Sequence, residues 1–187
     1  MSKAHRREKH PDAVRRSLLS HTARHAVEEG LASVTLQAVA NAANVTKGGL
    51  LHHFPSKKAL IEAVFEDLLA TLDDEIDRLM QADPAAYGRF SRAYIDAFFQ
   101  VARDGDESPW AALSISCMTD ADLRRLWSDW MRDRLDRHSD TDSAMPLALA
   151  RYAADGIWLA NITELSGIPP GELDRLHKQL KMMTVSP

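Results

Sequence analysis

The side chains in this sequence best suited to chemistry are its histidines. There are eight, and two of them are adjacent in the stretch NVTKGGLLHHF, residues 44–54. An imidazole can ligate a metal, move a proton or contact an anion, because its charge changes near neutral pH. His21 and His25 lie four apart, a spacing that can chelate zinc on a helix. No third ligand accompanies them: there is one cysteine, Cys117, and neither HExxH nor CxxC occurs. His52 and His53 would project about 100° apart on a helix, which suits two separate contacts better than one ion. A glycine-rich phosphate loop, a nucleophile elbow and an arrangement that nominates a Ser or Cys nucleophile are all missing. The chain is expected to bind rather than to catalyse, with no metal and no cofactor.

The elements that hold these histidines must account for Gly48 and Gly49, each of which weakens a helix by about 1 kcal/mol relative to alanine. At 187 residues and 45 % hydrophobic, the chain can build one large core or two small ones, and it is too apolar to be disordered. A single cysteine excludes an internal disulfide and fits a reducing cytoplasm. No apolar run approaches the roughly 20 residues of a membrane span. The basic start, MSKAHRREKH, has no apolar stretch behind it, so no secretory signal is expected. The net charge of −4 hides a split. Residues 1–60 carry ten Lys/Arg and four acids, whereas residues 61–187 carry 13 and 23. A basic head on an acidic body is suited to meeting a polyanion.

Apolar residues recur at three- and four-residue spacing throughout, so the fold class is all-α with about nine helices. They are expected over about 12–29, 35–43, 46–54, 56–82, 85–103, 109–118, 119–138, 145–166 and 170–182. Thr35, Thr46 and Ser56 are placed as N-caps, and Thr119 with Asp122 resembles a capping box. SDTDS (139–143) reads as a polar linker. The expected domains are 1–58, with a basic arm at Arg6, Arg7 and Lys9, and 59–187.

LQAVANAANVTKGGLLHHF has the spacing of a helix-turn-helix. Ala40 is the small residue where two helices cross. Asn44 takes the left-handed turn position, which asparagine tolerates next best after glycine. Val45, Leu50 and Phe54 point inward with Leu36 and Val39. Lys57 and Lys58 follow the cap Ser56, although a helix start disfavours cations; exposed N–H groups beside two lysines suit phosphate.

Residues 14–65 resemble the N-terminal domain of the tetracycline-repressor (TetR) family of bacterial transcription regulators. The matching segments are EEGLASVTL and AVANAANVTKGGLLHHFPSKKALIEAVF. The resemblance implies a recognition helix at about 46–52, a homodimer, and a C-terminal domain that binds an inducer. It places Gln37, Lys47, Gly48, Leu51 and His52 where the family reads base edges. Thr35, Thr46, His53 and Lys57 fall where it touches phosphates, and Lys58 joins them as a basic neighbour. Where the family often has Thr-Leu-Tyr, this chain has Gly49-Leu50-Leu51, so a phosphate-binding hydroxyl is lost at 49 and Leu51 can meet only a thymine methyl. If His52 and His53 touch DNA, affinity should rise as pH drops through the histidine range.

In the acidic body, Phe98, Trp110, Leu113, Cys117, Met118, Trp127, Met131 and Trp158 supply adaptable apolar surface for a small hydrophobic effector, although a plain core uses the same residue types. Small residues between larger apolar ones in 145–166 suit close helix packing. By analogy with the family, this helix and 170–182 form the dimer interface through Leu149, Ala153, Gly156, Ile157, Ala160, Leu173, Leu176 and Leu180. The competing reading is a helical interaction module with a basic end and no operator; the salt dependence of binding to bulk DNA separates the two.

Overall fold

A computed structural model of the chain describes residues 11–104, 108–162, 169 and 171–185. Ten α-helices occur among these residues, with no strand. They are α1 (Pro11–Glu29), α2 (Leu36–Ala42), α3 (Lys47–His53), α4 (Lys57–Ala82), α5 (Arg89–Asp104), α6 (Pro109–Thr119), α7 (Ala121–Arg137), α8 (Ser139–Asp142), α9 (Met145–Ile162) and α10 (Glu172–Met182). A short 3-10 turn, Leu31–Ser33, follows α1. The chain divides into two compact units, one up to Asp67 and one from Leu68 onward, with the division inside α4.

In the first unit α1 buries Leu18, Leu19, Thr22 and Ala26. Gly30 follows at φ +82°, and its N–H closes the helix on the Ala26 carbonyl. Val34, Val39, Ala40, Leu50, Phe54, Leu60, Ala63, Val64 and Phe65 are the other buried apolar residues described in this unit. In the second unit α5 is the central helix, packed by α9, α10 and α8. Phe90, Tyr94, Ile95, Phe98 and Phe99 from α5 meet Leu72 and Ile76 of α4, Ala150 and Ala154 of α9, and Leu180 of α10.

Three expectations are corrected. SDTDS is not a solvated linker: four of its residues form α8, and Asp142 is buried, accepting from the Ser91 N–H (2.7 Å) and hydroxyl (2.6 Å). The capping residue of α7 is Asp120, not Thr119, which ends α6; the Asp120 carboxylate accepts from the N–H groups of Asp122 (2.8 Å) and Leu123 (3.2 Å). Finally, α5 starts at Arg89 rather than near Ala85. Residues 83–88 wrap instead around the Arg92 guanidinium, which donates to Asp83 (2.6 Å) and to the carbonyls of Ala85 (2.7 Å), Tyr87 (2.8 Å) and Thr184 (2.8 Å). Gly88 at φ +69° lets the chain leave that wrap, where a Cβ would stand 2.5 Å from the Thr184 oxygen.

Candidate functional site

The α2–α3 junction is built from local chemistry. The Thr35 hydroxyl accepts from the Ala38 N–H at 3.1 Å to open α2, and Thr46 does the same for Gly49 at 3.0 Å to open α3. Between them Asn44 sits at φ +53°. The Val45 N–H reaches the Ala40 carbonyl at 2.9 Å and the Asn44 N–H the Asn41 carbonyl at 3.1 Å, the two bonds of a Schellman ending. Ala40 is fully buried at the crossing, as the close approach of two backbones requires.

Leu50 is fully buried and Phe54 nearly so, which fixes how α3 is rolled. That roll leaves Lys47, Gly48, Leu51 and His52 exposed and Gly49 and His53 half-exposed, with Thr35, Gln37 and Thr46 exposed alongside. The His52 and His53 rings meet edge to face, 5.6 Å apart. Gln37 donates to the Asn41 side chain at 2.8 Å. The Ser56 hydroxyl accepts from the Ala59 N–H at 3.0 Å and caps α4. Lys57 is half-buried and donates to the Ala32 carbonyl at 3.0 Å, while exposed Lys58 faces Glu62 at 3.7 Å. His21 and His25 take different neighbours: Arg24 for the first, and Glu29 (3.4 Å) with Ser33 (3.4 Å) for the second.

The α4 end of the second unit is held by Arg134, which is 1 % exposed. Its guanidinium donates to Asp73 (2.6 Å) and Asp77 (2.5 Å), and the Trp130 indole donates to the same Asp73 oxygen at 2.7 Å. Trp130 leads into an aromatic cluster. Phe98 stacks on Tyr94 at 4.3 Å and meets the edges of Trp127 (6.0 Å) and Trp158 (6.1 Å), while Trp127 contacts Trp110 (6.3 Å) and Trp130 (5.1 Å). Met131 packs on the same core. Phe98, Trp110, Trp127, Met131 and Trp158 are thus brought together. On α6, Leu113 is buried and Cys117 half-buried, with burial raising its thiol pKa, whereas Met118 stands at the surface, 51 % exposed.

One half-buried carboxyl at this cluster escaped the sequence reading. The Tyr94 hydroxyl donates to Asp155 at 2.5 Å. Burial pushes the Asp155 carboxyl up to about 6, against the pull of the Tyr94 hydrogen bond and the Arg151 charge. On the outside of α9, Met145, Leu149 and Tyr152 form an exposed apolar row at helical spacing, and Met182 and Val185 are exposed near the C-terminal end. Gly156 is exposed; Ala153, Ile157, Ala160, Leu173 and Leu176 are half-buried, and Leu180 faces its own core.

Residues 18–64 match the family model described as bacterial regulatory proteins, tetR family, and residues 88–185 match the tetracyclin repressor-like C-terminal domain. The chain belongs to the TetR family. It is 32 % identical over 167 residues to the HTH-type transcriptional regulator BetI of Paraburkholderia phytofirmans, covering 83 % of this chain and 85 % of the relative. A transcriptional regulator from Rhodococcus (RHA1_ro04179) superposes with a TM-score of 0.69 at 22 % identity, over 92 % of this chain and 99 % of that one. The multidrug binding protein EbrR, solved with malachite green, superposes with a TM-score of 0.69 at 17 % identity, over 92 % and 98 %. In this TetR-family chain, α2 and α3 are the helix-turn-helix, and α3 is the recognition helix. The second unit is the effector-binding domain of a ligand-responsive, DNA-binding transcription regulator. TetR-family proteins are regulators rather than enzymes.

Proposed function

We propose that the chain is a cytoplasmic homodimeric repressor that holds a palindromic operator and releases it on binding a small hydrophobic effector. Residues 1–58 read the DNA; residues 59–187 bind the effector and dimerise. The observation that carries this reading is the roll of α3. With Leu50 and Phe54 fixed in the core, Lys47, Gly48, Leu51 and His52 are left on the open face. Bases are read there and by Gln37, and phosphates by Thr35, Thr46, His53, Lys57 and Lys58, with Gly49 offering only bare backbone beside them.

Dimerisation is assigned to α9 and α10. Leu149, Ala153, Gly156, Ile157, Ala160, Leu173 and Leu176 lie on these two helices, and the exposed row Met145–Leu149–Tyr152 gives a second copy an apolar face to cover, whereas Leu180 is taken up by its own chain's core. The effector site is assigned to the aromatic cluster about Phe98 and Trp127, with α6 at its side. The malachite green bound by a structural neighbour is an aromatic compound of the kind such a cluster accepts.

Selection of bound sequences from random duplex DNA tests the reading. The expected result is an inverted repeat with half-sites spaced about one helical turn (~34–36 Å) or a multiple of it. A non-palindromic selected sequence overturns the symmetric dimer, and salt-independent binding overturns specific contact with DNA.

A further inference from the structure

Arg15 lies outside every group of residues assigned so far, yet its surroundings are unusual. It is exposed on α1, and its guanidinium carbon lies 5.3 Å from the centroid of the Phe54 ring. Phe54 caps the C-terminal end of the recognition helix and leads through Pro55 to the α4 cap, Ser56. Its ring is 6.4 Å from that of His53, which in turn meets His52. A continuous row of rings therefore runs from Arg15 to the exposed end of α3. Among the described residues, Arg78, Arg92, Arg103, Arg125, Arg132, Arg134 and Arg175 face carboxylates. Arg15 meets only the ring among the described residues. A guanidinium held over an aromatic face leaves N–H groups to donate and loses rotamer freedom before any partner arrives, the preparation a planar fork needs to grip phosphate.

We propose that Arg15 is a DNA-phosphate contact, with Phe54 as the residue that positions it. This rests on the DNA-binding reading of α3 and adds a contact from a different helix. The probe is the duplex that the wild-type protein itself selects, together with a scrambled duplex of equal length, each titrated over a range of salt. Arg15→Gln should weaken binding about tenfold at low salt on both duplexes and lower the salt slope by about 0.9 per head. Arg15→Lys should restore the slope while recovering only part of the affinity, because a point charge cannot use both edges of the fork. An unchanged slope for Arg15→Gln overturns the proposal, whatever happens to affinity, and marks Arg15 as a prop for Phe54. A loss confined to the selected duplex also overturns it, since that is base reading. If the wild type itself binds neither duplex, the DNA-binding reading fails, a result distinct from either of these.

Discussion

Gly48 and Gly49 sit side by side in the recognition helix but are constrained differently. A Cβ at 48 would meet only the Thr46 hydroxyl at 4.0 Å, whereas one at 49 would press that same capping oxygen at 3.2 Å. Gly48→Ala should therefore raise stability by about 1 kcal/mol in a thermal melt while weakening operator binding, because the methyl occupies the face bare backbone leaves open to DNA. Gly49→Ala should give a smaller stability gain, since the new methyl disturbs the cap. Asp155 makes a second prediction at this scale. Its folded carboxyl titrates near 6, above its ordinary range, so the native state holds the extra proton. Stability must then fall as pH rises from about 4 to about 6 and level off above. Asp155→Asn keeps an acceptor for Tyr94 and removes the charge. Chemical denaturation should find it more stable than the wild type at pH 7.5, by up to about 3 kcal/mol, and equal to it near pH 3.5. A wild-type profile that is flat between pH 4 and 6 would count against an Asp155 that ionises in this range.

Elements whose ends are governed by neighbouring residues were legible in the sequence. Thr35, Thr46 and Ser56 cap as their types dictate, and Asn44 adopts the positive φ that the turn requires, because each acts within a few residues of itself. Elements governed by distant partners were not. Asp142 sits in a run of polar residues indistinguishable from a linker; its burial depends on Ser91, 51 residues away. Arg134 is one of several arginines on a charged helix, and only Asp73 and Asp77, about 60 residues earlier, single it out. The inward side of α3, Leu50 and Phe54, was readable from the apolar spacing, whereas the Tyr94–Asp155 pair and the Arg15–Phe54 contact each join separate helices and left no periodic trace. The Arg134 pairing pins α7 to α4, so Arg134→Ala leaves two carboxylates without their cation. A urea titration should show a loss of about 3 kcal/mol. A change below 1 kcal/mol would mean that solvent already screens the pair.

For the whole molecule, the proposed symmetry has to be built from surface that the single chain leaves uncovered. Tyr152 is 72 % exposed, so Tyr152→Glu should leave each chain folded. Light scattering should show the variant at half the wild-type mass, and operator affinity should fall toward that of one half-site. A variant that remains dimeric would place the interface elsewhere. The placement of the tryptophans has a separate, spectroscopic consequence. All four (Trp110, Trp127, Trp130 and Trp158) belong to the unit that begins at Leu68, and the DNA-reading unit contains none. Indole emission is therefore blind to the head, while far-UV ellipticity sums over every helix of both units. Following one denaturation with both signals turns the chain into its own domain-resolved probe. Coincident curves mean that head and body melt as one cooperative unit; a gap between them measures how far one outlives the other.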